Sequence, residues 1–299
     1  MDNYDVVIID SGLNLDNGLC VPGVCIQKTS EGFLVTDDLT DIIGHGTITY
    51  SIINKKVETS KIFIVKLPEN QDDYDESCLI AALEYIKGNI KCKIVNISLG
   101  LKTGENIKEL YNICSEIAAM GVVIISAFDN EGCHSYPAAF DCVIGVDNKN
   151  DIKHITEFDF IENSPINILA KGNIQRIKMQ DGRMLLVGGS SIACAYITSV
   201  LANEIIHDFN LHNALLYLKS RARYIYSSDK LEKDNNCFFE INNAVVFPFA
   251  KEAHAFVRFT DMLPFHIQGY YDVRRSGKVG KKLSSYYEDV ATEEYILDI

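Results

Sequence analysis

The sequence predicts an α/β fold, with a mostly parallel sheet covered on both faces by helices and a small extension at the C-terminal end. Two observations carry that prediction. Short, wholly apolar runs alternate through the first half with longer stretches whose apolar residues recur at helical spacing. Strands buried on both faces read as continuous apolar runs, and helices between them make the crossovers of a parallel sheet. Polar residues then gather where three of these runs end, and in open α/β sheets function collects at the carboxyl ends of strands.

In chain order, a strand is predicted over 5–9, where Val6-Val7-Ile8-Ile9 runs into Asp10-Ser11-Gly12. A helix follows over 42–53, with Ile48, Ile52 and Ile53 on its buried side. A strand over 61–67 and a helix over 77–90 come next. The strand over 93–97 passes into Asn96-Ile97-Ser98-Leu99-Gly100. The helix over 105–120 is amphipathic, with Ile107, Leu110, Ile113, Cys114 and Ile117 on one face. A strand over 122–126 leads to Ser126-Ala127-Phe128-Asp129-Asn130-Glu131-Gly132, and another spans 142–146. Helices over 191–207 and 212–221 complete one large domain, 1–247. Residues 248–299 form an extension with alternating apolar residues in 255–260 and 265–273, suggesting two short strands, followed by a basic loop and an acidic tail. Its readings are an extra layer on the domain, a leader-peptide site, a dimer contact that would make a homo-oligomer, or a cover for the cleft.

The 299 residues are 47% hydrophobic, enough for a substantial core. No apolar run reaches the roughly 18 residues of a membrane span, and the acidic start is unlike a secretory signal, so a cytoplasmic protein is expected. Nine cysteines without paired C-x-x-C spacing read as free thiols of a reducing compartment, not as a metal site. A net charge of −13 argues against nucleic acid or an anionic membrane as partner and agrees with a basic peptide. No cofactor is called for.

Four residues stand out chemically. Asp10, at a strand end, is either a turn former or the carboxylate that orients an imidazole. His45 lies between glycines in Gly44-His45-Gly46-Thr47 at a helix start, where a ring of near-neutral pKa can take and return a proton. Asn130 is either a turn residue or an amide donor to an oxyanion. Ser191, in Gly188-Gly189-Ser190-Ser191-Ile192-Ala193, falls in the first turn of a buried helix, where free N–H groups favour developing negative charge.

Together these segments resemble the subtilisin-like serine proteases, the subtilases or peptidase S8 family. Val7-Ile8-Ile9-Asp10-Ser11-Gly12 is similar to the family's aspartate motif, Gly44-His45-Gly46-Thr47 to its histidine motif, and Gly189-Ser190-Ser191-Ile192-Ala193 to its nucleophile motif. The resemblance covers about residues 4–247, ending near Glu240-Ile241-Asn242-Asn243-Ala244. It implies a three-layer sandwich and a serine endopeptidase in which Ser191 attacks, His45 moves the proton, Asp10 supports His45 and Asn130 holds the oxyanion. Ser98, Leu99 and Gly100 would pair with extended substrate, and Phe128 and Tyr136 would lie by the specificity pocket. Peptides or proteins are the implied substrates. The absence of a signal and pro-domain suggests removal of a leader from a ribosomally made peptide, with a non-catalytic peptide binder or a protease of general turnover as alternatives.

The departures are specific. Ala195 and Tyr196 replace a proline and a histidine of the family pattern, and Thr47-Ile48-Thr49-Tyr50-Ser51 replaces Thr-His-Val-Ala-Gly. Phe128-Asp129 replaces a small Ala-Gly pair, so its ring is expected to narrow the pocket or displace Asn130. The stretch 53–62 is too short for a calcium loop and lacks its oxygen ligands.

Overall fold

Val6–Asp10, the first strand (β1), is buried at every position, which requires cover on both of its faces. The computed structural model describes residues 3–15, 20–68, 75–101, 106–129, 135–178, 182, 184–204 and 209–227, and the strands at 244–246 and 267–270. After β1 come a hairpin of β2 (Gly23–Thr29) and β3 (Gly32–Thr36), then α1 (His45–Ile53), β4 (Ile62–Lys66), α2 (Glu76–Asn89), β5 (Ile94–Ile97), α3 (Ile107–Ala119), β6 (Val123–Ala127) and β7 (Val143–Asn148). The chain continues through β8 (Phe158–Glu162), β9 (Ile166–Ala170), the hairpin β10 (Gln175–Lys178) and β11 (Met184–Val187), α4 (Ser190–Asn203), α5 (Leu211–Arg221) and β12 (Ile225–Ser227).

Among the described residues, ten strands form one sheet in the order β12-β8-β9-β7-β6-β5-β1-β4-β2-β3. The central pairs are parallel, whereas β2 with β3 and β8 with β9 are antiparallel. Alternate side chains of a strand point to opposite faces, and the core divides accordingly. Val6 and Ile8 of β1 join a cluster with residues of α1, α4 and α5, while Val7 and Ile9 join a cluster with α2 and α3. The result is the three-layer α/β sandwich that the apolar runs predict.

The chain places β4 on one side of β1 and then returns to place β5 on the other. Asp10 therefore ends the strand at which the order of the sheet reverses, where α/β sheets leave a crevice for ligands.

The first helix differs from expectation. It starts at His45 instead of 42, because Gly44 holds φ 81, a left-handed conformation that costs glycine little and interrupts the helix. Ile42 and Ile43 consequently lie in the preceding turn, 82% and 62% exposed. The β2–β3 hairpin, β8, β9, β12 and the β10–β11 hairpin were not expected. The chain divides into two compact units, 1–231 and 232–299. In the second, β13 (Ala244–Val246) pairs in parallel with β14 (Ile267–Tyr270); the alternating stretch 255–260 lies outside the described residues.

Candidate active site

Asp10 is 2% exposed, and burying a carboxylate demands donors for its oxygens. They come from three directions. The Ser11 backbone N–H donates to Oδ1 at 2.8 Å, the Thr49 hydroxyl donates to Oδ2 at 3.0 Å, and His45 Nδ1 lies 2.7 Å from Oδ1. A carboxylate can only accept in this last contact, so Nδ1 carries the proton and Nε2 is left with its lone pair. That tautomer suits the ring to take a proton from a neighbouring hydroxyl. His45 and Thr49 are one helical turn apart, which lets both reach the same carboxylate.

His45 opens α1, and Asp41 holds that helix start in place. The Asp41 carboxylate, also buried, accepts from the Ser11 hydroxyl and the Gly44 N–H at Oδ1, both at 2.8 Å. Its Oδ2 accepts from the Thr47 N–H at 2.8 Å and the Thr47 hydroxyl at 2.5 Å. It does the work of an N-cap that Gly44, without a side chain, leaves undone. The Ser11 hydroxyl in turn accepts from the Gly46 N–H at 2.9 Å. A Cβ at Gly46 would lie 2.2 Å from the Gly12 carbonyl oxygen, so only glycine allows α1 to approach the end of β1 this closely. The Asp10 charge raises the His45 pKa above its ordinary value; burial opposes the rise, while the hydrogen bond to Asp10 and the Asp41 charge add to it.

Ser191 is the second residue of α4, half-buried, after Gly189 as N-cap. Its N–H belongs to the first turn, where a helix offers no internal acceptor. Three hydrogen bonds hold this helix to the sheet and to the loop after β6. The Ser190 hydroxyl donates to the Phe128 carbonyl, and the buried Asn96 amide of β5 donates to the Thr198 hydroxyl at 2.8 Å and to Cys194 Sγ at 3.2 Å. The helix α4 packs on α1, bringing the elements of Ser191 and His45 together, but no hydrogen bond joins these two side chains among the described residues. Beside the Ser190-Ser191 turn runs an open cleft walled by Asn173, Ile174, Leu186, Gly188 and Gly189.

The remaining candidates are distributed as follows. Ser98, buried beyond the end of β5, donates to Asn96 Oδ1 at 2.8 Å; Leu99 is half-buried and Gly100 exposed. Leu101 and Tyr136 exchange backbone hydrogen bonds of 2.9 and 2.8 Å, tying the 98–101 segment to the turn that carries Tyr136, whose ring packs on Phe140. The Phe128 ring is turned into the protein, 5% exposed. A Cβ at Gly145 would come within 2.5 Å of its Cε2, so this glycine on β7 makes room for the ring. Asn130 lies outside the described residues. Residue patterns had not pointed to Asp41, Thr49 or Asn96 as site-building groups. The available signals were an aspartate three residues before Gly44, a hydroxyl one turn after His45, and an amide interrupting the apolar run Ile94-Val95-Asn96-Ile97.

The model of the subtilase family matches residues 30–210, a stretch that includes His45 and Ser191 and begins after Asp10. Proteinase T of Parengyodontium album is 25% identical over 180 residues, 54% of this chain and 58% of that protein, so the chain spans under two thirds of the length of this curated relative. Among solved structures, a cold-adapted subtilisin-like serine proteinase has the same fold at a TM-score of 0.55 and 18% identity, covering 73% of this chain and 81% of that one. A lanthipeptide protease follows at 0.51 and 17%, covering 73% and 79%. With well over half of the chain matched by the family model, and the same sandwich in both solved structures, the chain belongs to the subtilase family.

Proposed function

We propose that the chain is a serine endopeptidase acting through an acyl-enzyme. The observation that carries this is the Asp10–His45 hydrogen bond of 2.7 Å at the reversal point of the sheet, on a helix packed against the one that Ser190 and Ser191 begin. In this reading Ser191 Oγ attacks the scissile carbonyl and passes its proton to His45 Nε2. Asp10 holds Nδ1–H and stabilises the imidazolium that forms. The oxyanion is received by the Ser191 N–H and, as the family resemblance implies, by the Asn130 amide; losing one such donor costs about 10²–10³ in turnover. His45 then returns the proton to the leaving amine, and water releases the acyl group by the same relay. Ser98–Gly100 would hold the substrate as an added strand, with Phe128 and Tyr136 near the side chain that precedes the cut.

A fluorophosphonate probe tests the chemistry. Adduct on Ser191, mapped by mass spectrometry and absent in Ser191→Ala and His45→Ala, is the expected result. A folded protein that takes no label would overturn it. That outcome favours a second reading, a peptide binder without turnover, which rests on Phe128-Asp129 standing where the family pattern has a small Ala-Gly pair.

The finer proposal is dedicated maturation of a ribosomally made peptide by leader removal. A fold shared with a lanthipeptide protease is compatible with it, and a net charge of −13 favours basic residues near the cut. One cut at the leader boundary of a precursor, with casein left intact, would support maturation. Digestion of casein at many sites would replace it with general turnover.

A further inference from the structure

The sheet has an edge that the proposed chemistry does not use. β3 is hydrogen-bonded to β2 on one side, and no further strand follows it among the described residues. All of Gly32–Val35 is exposed, including three large apolar side chains in succession: Phe33 at 42%, Leu34 at 51% and Val35 at 44%. Proteins ordinarily guard such an edge with lysine, proline or a bulge, because its open N–H and C=O groups pair readily with another strand. This one carries none of the three between Gly32 and Thr36, and its register with β2 is unbroken.

Nor is the hairpin a loose flap. Ile26 and Cys25 of β2 are buried, β2 is hydrogen-bonded along β4, and Lys28 pairs with Asp75 at the N-cap of α2. The edge is thus presented on a rigid base, three strand positions from β1 in the sheet order, about 14 Å at the usual strand spacing.

Charge decides what fits. Glu31 precedes the strand, Asp37 and Asp38 follow it, and all three are exposed. The basic residue opposite Phe33, Lys28, is already occupied by Asp75. A second copy paired about a two-fold axis at Leu34 would set Glu31 against Asp37, which like-charge repulsion across strands opposes. We propose that β3 is a docking edge for an extended, basic peptide segment: apolar residues alternating in its centre, lysine or arginine at both ends. The segment adds as an eleventh strand, its main chain completing the ladder and its ends meeting Glu31 and Asp37-Asp38.

Binding is measured on the full chain carrying Ser191→Ala, so that the probe stays intact. The probe is a fluorescein-labelled peptide, Lys-Lys-Val-Thr-Val-Thr-Val-Lys-Lys, with a photoreactive leucine replacing the central valine in a second version. Saturable anisotropy that weakens with salt, and cross-links within residues 27–36, are expected. The double reversal Glu31→Lys/Asp37→Lys should weaken binding at least ten-fold, as should Phe33→Lys, with melting temperatures held near that of the parent. Alternate N-methylation of the peptide should abolish binding. Unchanged affinity in these variants, or cross-links confined to the 98–101 segment, would overturn the proposal. So would light scattering that shows a dimer with β3 shielded, which would make a second copy the occupant.

Discussion

The imidazole of His45 stands at the first turn of α1, where the helix dipole disfavours a positive ring. Two carboxylates outweigh it: Asp10 in direct contact, and Asp41 behind the helix start, together hold its pKa above the ordinary 6.5. In the mechanism proposed above, His45 must be neutral to accept the Ser191 proton. The rate of fluorophosphonate labelling should therefore rise with pH through a midpoint above 6.5, the ordinary value. Asp41→Asn removes a charge that favours the imidazolium, so the midpoint should move to lower pH; a midpoint unmoved in that variant would show Asp41 to be purely structural. The same shift enters stability. A raised histidine pKa stabilises the folded protein fully below the unfolded value and loses that contribution as pH rises through the folded one. Melting temperatures of the wild type should fall across that window relative to His45→Gln, measured by calorimetry.

Elements are placed by a few close contacts. Gly46→Ala would drive α1 away from the Gly12 carbonyl, which lies 2.2 Å from the new Cβ. Overpacking of this kind costs about 1–3 kcal/mol, and a shift of roughly 1 Å between reacting groups costs about 10² in rate. Labelling of Ser191 should fall by about that factor while the variant still folds. At the other side of the sheet, the wholly buried Asp159 of β8 is held by Lys149 at 2.8 Å and by Arg223 at 2.9 and 3.1 Å, joining the loop after β7 to the approach to β12. Burial alone would raise the Asp159 pKa, but these two cations hold it below the carboxylate norm. Asp159→Ala should destabilise the protein by about 3 kcal/mol, since it strands two partly buried cations, and lower the melting temperature by roughly 6–12 °C. The ion pairs stabilise above the unfolded aspartate pKa and fade as pH falls through the folded one, so the gap between wild type and variant should close in acid.

At the scale of the molecule, the sheet's interior was legible in the sequence because β1, β4, β5, β6 and the first four residues of β7 are buried on both faces and read as largely apolar runs. Its margins were not. β3 is exposed from Gly32 to Val35, and β8, β9 and β12 are only partly buried, so their pairing is decided by tertiary neighbours, not by any local pattern. The site divides in the same way. Asp10, His45 and Ser191 sit in short motifs that a resemblance can read, and the structure joins the first two across 35 residues. Asp41, Thr49 and Asn96 act through contacts that only the folded chain creates, spanning 30, 39 and 102 residues.

The central position of β1 also sets a timetable for synthesis. β1 leaves the ribosome before either of its neighbours exists, and β5, its second partner, is complete only at Ile97. Until β4 is made at Lys66, Val6-Val7-Ile8-Ile9 is an apolar stretch without a ladder, and until β5 follows it is paired on one side alone, the kind of segment that nascent chains expose to aggregation and to chaperones. Translation stalled shortly after residue 66 should yield chains that remain protease-sensitive at β1. Stalling well past residue 97 should protect them, because β1 then has a hydrogen-bonded neighbour on either side.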